Sequence, residues 1–361
     1  MKILFVYQFC TLGGVETVLR NRLPEFHRKG IYPEVVFLYD LGGSKIFEGF
    51  KNVRYGCSEN ELARIIVEGN FDFVIPIDTP QVYPALGKSG FKGIVVTEVH
   101  TNNLDNLRYL SNIGETETKA IITPSRFEKE LIYKEIKGFE KNRISIYIVP
   151  NPINLEHFRF KEPKFKPNKK IIGWVGRLEK EKNWIHFLEI ASFLSKKRDD
   201  LVFLVIGGYN AEDAMKRDFL AAVKRLNLVD HLKWVPYLQY ERMPGVYSLM
   251  GLSGGCLVPT SILEPFGMTA IEAMACQCPV VASRVGGFQE IIEDGKNGFL
   301  FEVNNTKDAV TKIETLIDDN SERARFIQNG CSTVSEVYSS ERIVNKYLEI
   351  LRGLAEQLPI Q

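Results

Sequence analysis

The run Met1-Lys2-Ile3-Leu4-Phe5-Val6-Tyr7 leads through Thr11-Leu12-Gly13-Gly14-Val15-Glu16 into a stretch of helical periodicity over residues 15–29. A secretory leader would carry a longer apolar run and a small-residue cleavage pattern, so this start is expected to be a first strand. Strand, glycine turn and amphipathic helix in that order form the opening unit of an α/β fold. No stretch of the sequence comes near the ~20 apolar residues of a membrane-spanning helix.

The unit repeats. Continuous apolar runs at 3–7, 35–39, 73–77, 94–99, 120–123 and 146–149 read as buried parallel strands, with helical patterns such as 126–138 between them. The segment 161–170, Lys-Glu-Pro-Lys-Phe-Lys-Pro-Asn-Lys-Lys, is charged, contains proline and lacks both periodicities, so it reads as an interdomain linker. Apolar runs then resume at 171–175, 202–206, 232–235, 256–259, 279–283 and 298–301, and a long helical pattern over 340–354 ends the chain. The expected organisation is a Rossmann-like domain over 1–165, a second over 166–339, and a final helix over 340–361 that packs back on the first.

The 361 residues suit two such domains. A formal net charge of +1 gives no global field for recruiting nucleic acid, and none is expected as a partner. Six cysteines without CxxC pairs or zinc spacing suggest free thiols in a reducing cytoplasm.

Ligands of open α/β sheets bind beyond the carboxyl ends of the strands. Four stretches occupy such positions. Gly13 and Gly14 would let backbone approach an anion at a helix N-terminus, although a plain tight turn would look the same. In Gly176-Arg177-Leu178-Glu179-Lys180-Glu181-Lys182-Asn183, the cations Arg177 and Lys182 could grip a diphosphate; a solvated charged loop is the plainer reading. The third stretch runs from Pro259 through Glu264-Pro265-Phe266-Gly267-Met268-Thr269 to Glu272 and Ala275. It pairs the free amides of a helix start with two carboxylates able to accept sugar hydroxyls. His100 closes the fourth, at the end of the run 94–99.

Taken as an ordered set, these stretches resemble the retaining GT-B glycosyltransferases of glycosyltransferase family 4. Glu264 and Glu272 look like the E-x7-E motif, followed by Pro279-Val280-Val281-Ala282, Gly286-Gly287, Glu290 and Asp294-Gly295-Lys296-Asn297-Gly298-Phe299. Gly176-Arg177-Leu178 with Lys182-Asn183 resembles the diphosphate-binding motif, and Val149-Pro150-Asn151-Pro152-Ile153 the exit from the first domain. The resemblance spans about residues 3–355. Ser253-Gly254-Gly255-Cys256 is less apolar than the family pattern, Gln277 replaces a common glycine, and Trp184 a smaller residue.

The resemblance implies a GT-B fold, two Rossmann-like domains with parallel sheets facing across a cleft that closes on the donor. It implies transfer of a hexose or N-acetylhexosamine from a nucleotide-diphosphate sugar, UDP-linked in preference to GDP-mannose, with retention of configuration. Arg177 and Lys182 would neutralise the departing diphosphate, Glu264 would bind the transferred sugar and His100 would face it. Glu272 would hold the ribose, and Gly13, Gly14, Gly176, Tyr237, Phe266, Gly267, Met268 and Thr269 would line the donor site. No DxD carboxylate pair is present, so no metal or other cofactor is expected.

A sugar-nucleotide epimerase and a non-catalytic sugar-nucleotide-binding subunit remain as other readings. A phosphorylase would need a Schiff-base lysine, which nothing in the sequence singles out. The acceptor is a glycan, a lipid-linked sugar or a small molecule. Lys129, Lys134, Lys137, Lys141 and Arg143 could touch the inner face of a membrane, but Glu128, Glu130, Glu135 and Glu140 interleave with them, which favours a salt-paired surface helix.

Overall fold

The computed structural model describes the whole chain except Leu12, residues 115–116, residues 140–143, Lys166 and residues 358–361. The strands are β1 (Ile3–Cys10), β2 (Glu34–Asp40), β3 (Val53–Tyr55), β4 (Phe73–Ile77), β5 (Ile94–Glu98), β6 (Ala120–Thr123), β7 (Ser145–Ile148), β8 (Lys170–Val175), β9 (Leu201–Ile206), β10 (Leu232–Val235), β11 (Cys256–Leu257), β12 (Val281–Ser283) and β13 (Phe299–Phe301). The helices are α1 (Gly14–Arg28), α2 (Glu59–Gly69), α3 (Val82–Ser89), α4 (Leu104–Leu107), α5 (Arg126–Glu135), α6 (Trp184–Ser195), α7 (Asp213–Arg225), α8 (Met243–Leu252), α9 (Met268–Ala275), α10 (Phe288–Ile291), α11 (Thr306–Asp318), α12 (Asn320–Thr333) and α13 (Ser340–Glu356).

The chain divides into two compact units, Met1–Pro152 with Ser340–Gln361, and Ile153–Ser339. The boundary expected at 165/166 therefore falls at Pro152, and the charged segment after Lys161 belongs to the second unit. Packing explains the difference. Ile153 and Phe158 are fully buried in the second unit's core, and the amide of Lys161 donates to Ser248 Oγ at 3.0 Å. Two apolar anchors outweigh a polar composition that reads as a linker. Lys166, inside that segment, lies outside the described residues.

The first unit is built on a parallel sheet in the order β3-β2-β1-β4-β5-β6-β7. β3 is an edge strand of mixed polarity, which is why no apolar run announces it. β4 and β5 are buried at every position, as strands covered on both faces should be. Helix α13 presents Ile343, Val344, Tyr347, Leu348, Leu351 and Leu354 on one stripe and packs against α1. Tyr347 meets Phe26 edge-on, with ring centroids 6.0 Å apart.

The second unit has a four-stranded parallel sheet, β10-β9-β8-β11, and a parallel pair, β12-β13, which the bridge between Leu257 and Val280 joins to it. Trp184 opens α6 and fills the gap to α7, its ring 5.6 Å from Phe219. Gln277 has φ 60°, the left-handed conformation that glycine adopts without a steric cost. All six cysteines are free. Among the described residues no helix is long and apolar enough to cross a membrane.

Candidate functional site

The main sheet of each unit has a point where its strand order reverses, and the loops on either side of such a point face each other. In the second unit this happens between β8 and β11. The loop after β8 carries Gly176, Arg177 and Lys182; the loop after β11 carries Glu264. The two are pinned together. Thr260 Oγ1 donates to the carbonyl of Asn183 at 2.9 Å and accepts from Trp174 Nε1 at 3.1 Å, while the amide of Ile262 donates to the carbonyl of Glu181 at 2.8 Å. Ser283 Oγ donates to the Ser261 carbonyl at 2.6 Å, and Gly287 N to that of Glu264 at 2.8 Å.

This scaffold sets Lys182 Nζ 2.7 Å from Glu264 Oε2, on which Ser261 Oγ also donates at 3.2 Å. Glu264 is only 8% exposed. The cation expected at the diphosphate and the carboxylate expected at the sugar thus meet directly. Arg177 does not join them: its guanidinium is mostly exposed and pairs with Glu179 at 2.8 Å.

Behind this pair lies α9. Its N-cap, Gly267, has φ 113°, and a Cβ there would come within 2.6 Å of the Phe288 ring. Glycine is therefore required for the chain to turn into the helix, whose first-turn amides lack intrahelical partners. Met268 and Thr269 occupy that turn. Phe266 is a core residue, its ring edge-on to Tyr338, so only its backbone remains available to a ligand. Glu272 is buried one turn further on, where Tyr247 OH donates to its Oε2 at 2.8 Å. Burial pushes its carboxyl up to about 7 against the opposing pull of the Tyr247 hydroxyl. Tyr237, beyond β10, is exposed with its ring 5.6 Å from that of Tyr209.

In the first unit the order reverses between β1 and β4. Gly13 is the N-cap of α1 and Gly14 its first residue. The positive end of this helix is partly taken by the chain's own carboxylate: Glu16 accepts from the amide of Thr11 and, at 2.6 Å, from Thr11 Oγ1. After β4, half-buried Asp78 accepts from the amide of His100 at 3.0 Å, and desolvation pushes its carboxyl up to about 6. His100 Nε2 lies 2.9 Å from Glu98 Oε2. Glu98 is fully buried, 2.8 Å from Arg22 NH1, and accepts a short hydrogen bond from Tyr347 OH. Burial raises the Glu98 carboxyl, but Arg22, His100 and Tyr347 together hold it down to about 2.

Helix α5 is not the uniformly salt-paired surface helix expected. Lys134 does pair with Glu135 at 3.2 Å, but Lys129 Nζ donates to the Ile146 carbonyl and Glu128 faces inward, fully buried. Lys141, Arg143 and Glu140 lie outside the described residues. Among the described residues neither carboxylate oxygen of Glu128 has a hydrogen-bond partner, and burial, with nearby Asp78, pushes the group up to about 9. The folded chain then holds a proton that the unfolded chain has lost, so this group lowers stability progressively as pH rises from about 4.5 to about 9. Glu128→Met is expected to raise stability at pH 8 by about 1–4 kcal/mol and to flatten that slope. Urea midpoints at pH 5 and pH 8 check this; an unchanged pH 8 midpoint rejects it.

Five polar residues around these sites escape a sequence reading: Arg22, Asp78, Glu98, Tyr247 and Tyr347. Asp78 and Glu98 carry the available signal, an acidic residue just after or at the end of an apolar run. Arg22 and Tyr347 sit in amphipathic helices and give none. Among the described residues no three His, Cys, Asp or Glu side chains gather as a metal site.

Residues 156–333 match the family model of glycosyl transferases group 1. Among curated proteins, a probable sucrose-phosphate synthase of Thermosipho melanesiensis is 28% identical over 64% of this chain and 53% of its own length. The poly(ribitol-phosphate) alpha-N-acetylglucosaminyltransferase of Staphylococcus aureus is 24% identical over 80% of this chain and 57% of its own. The matched region spans from about a quarter to somewhat over half of the length of the first such relatives. Among solved structures, Anabaena HepE in complex with UDP-glucose superposes with a TM-score of 0.83 at 19% identity, over 98% of this chain and 100% of that one. A variant of S. aureus TarM, in complex with fondaparinux, alpha-GlcNAc-glycerol and UDP, gives 0.75 at 16%, over 97% and 100%. At these identities the likeness is one of fold, that of the GT-B glycosyltransferases.

Proposed function

We propose that this chain, whose residues 156–333 belong to the glycosyl transferases group 1, transfers a hexose or N-acetylhexosamine from a nucleotide-diphosphate sugar to a glycan or lipid-linked acceptor, with retention of configuration. The observation that carries the reading is the meeting of Lys182 and Glu264 at the reversal point of the second sheet, with Glu272 behind them on α9. An epimerase or a binding subunit would not by itself call for a cation and a carboxylate fixed side by side. UDP is the favoured nucleotide, since HepE and TarM were solved with UDP or its glucose conjugate.

In this reading the bond from the anomeric carbon to the diphosphate breaks, and the departing group gains negative charge. In this reading Lys182 and the first turn of α9 stabilise it with little reorganisation, and Arg177 joins them by leaving Glu179. The acceptor oxygen bonds to the anomeric carbon on the same face, and its proton passes to a diphosphate oxygen. No protein base and no metal are assigned. Glu264 binds the transferred sugar and Glu272 the ribose. Nucleoside diphosphate release from UDP-glucose, UDP-galactose, UDP-N-acetylglucosamine and GDP-mannose tests the reading, and the anomeric proton signal of the product tests retention. An inverted product, or no release from any donor with an acceptor panel present, rejects it.

The elevated titration of Glu272 gives this reading a pH signature. Ribose hydroxyls are best accepted by the carboxylate, so UDP binding is expected to tighten about tenfold between pH 6 and pH 8. Glu272→Gln should bind more weakly and lose that slope. Calorimetric titration at both pH values decides; equal slopes in the two proteins remove Glu272 from the ribose site.

A further inference from the structure

Beside the expected sugar-facing histidine, the first unit holds a buried network that the reading above does not use. Glu98 is fully buried at the end of β5 and gathers donors from three other places in the chain: Arg22 on α1 at 2.8 Å, Tyr347 on α13, and the His100 ring at 2.9 Å. Arg22 carries no acceptor, and it keeps Glu98 ionised. An ionised carboxylate only accepts, so the ring nitrogen facing it must carry a proton. That nitrogen is Nε2. The ring itself is nearly closed off, its side chain 6% exposed, and Asp78 fixes the backbone by accepting from the His100 amide at 3.0 Å. Among the described residues Nδ1 has no hydrogen-bond partner.

We infer that Glu98 is a positioning residue: it locks neutral His100 in the Nε2–H tautomer and leaves Nδ1 as a hydrogen-bond acceptor for a substrate hydroxyl. This rests on the transferase reading only for the identity of the hydroxyl, which is a sugar's. Tyr347 makes the last helix part of the arrangement, since its hydroxyl completes the set of donors around Glu98.

Glu98→Gln discriminates sharply. Facing Arg22, which can only donate, the new amide must present its oxygen there and its NH2 to His100. Nε2 then has to accept, the proton moves to Nδ1, and the nitrogen offered to substrate changes from acceptor to donor. Nitrogen-15 spectra of the full chain labelled at histidine, recorded above the pH at which the imidazoles titrate, report the tautomer directly. The expected result is Nε2–H in the unmodified protein and Nδ1–H in Glu98→Gln. The variant's kcat should fall roughly 10- to 100-fold, the scale of one mismatched buried hydrogen bond, with UDP affinity unchanged. Tyr347→Phe, which removes one donor to Glu98 without touching His100, should keep the Nε2–H form. An Nδ1–H form in the unmodified protein overturns the inference even if Glu98→Gln does not fold, and so does an unshifted tautomer in a folded Glu98→Gln. The spectra need no substrate. Failure of every donor would therefore sink the transferase reading separately, while the nitrogen signals still decide the tautomer.

Discussion

Lys182→Ala and Arg177→Ala are each expected to slow sugar transfer roughly a hundred- to a thousandfold, the scale of losing a preorganised donor to a developing anion. The two substitutions differ in what else they disturb. Among the described residues Arg177 pairs only with Glu179, at an exposed site, so its loss should leave the melting temperature unchanged. Lys182 neutralises Glu264, which is largely buried, so its removal leaves a carboxylate without its cation. Lys182→Ala should therefore lower stability as well as rate, and Lys182→Ala with Glu264→Gln should recover the stability and not the rate. Initial rates of nucleoside diphosphate release and thermal unfolding, run in parallel, separate the two effects. Unmodified rates in both single variants would remove the cations from the mechanism.

The second large effect is on the fold. Arg22→Met strips the buried cation from Glu98 and is expected to destabilise the first unit by about 3–5 kcal/mol, because a carboxylate is left in the interior without its partner. The pair also sets an acid limit. Glu98 titrates lower in the folded chain than in the unfolded one, so its contribution is present above about pH 4.5 and is lost as pH falls toward about 2. The chain's three tryptophans, Trp174, Trp184 and Trp234, all lie in the second unit. Urea unfolding of Arg22→Met should thus show an early far-ultraviolet dichroism transition with little change in tryptophan fluorescence. An unshifted midpoint would mean that Glu98 finds other compensation.

Among the described residues, eleven of the thirteen strands have both ends within two residues of where their apolar runs place them, because strands buried on both faces must be apolar throughout, and β1 runs three residues past its run. β3 was not legible, since an edge strand can be polar. β11 and β12 are each shorter than their apolar runs, which extend into loop and bridge backbone. The unit boundary was misread for a related reason: residues after Pro152 are charged in composition, yet two of them, Ile153 and Phe158, decide the packing. Motif spacing singled out Lys182, Glu264 and Glu272 as candidates, but not that Lys182 and Glu264 would pair, or that Arg177 would pair with Glu179 instead. Those outcomes depend on which loops the strand order brings together. Glu98 and its donors come from positions 22, 98, 100 and 347, and only tertiary structure reveals such a set.

The chain leaves the first unit at Pro152 and returns to it at Ser340, so the second unit is an insertion within the first. During synthesis Ile153–Ser339 is continuous and has its whole core available before Ser340 emerges. The first unit must wait, with Phe5, Phe26 and Glu98 uncovered, until the stripe from Ile343 to Leu354 leaves the ribosome. Its seven strands are all made early, but the unit is finished last. A stalled or prematurely terminated chain would therefore carry a folded second unit together with an open, aggregation-prone sheet.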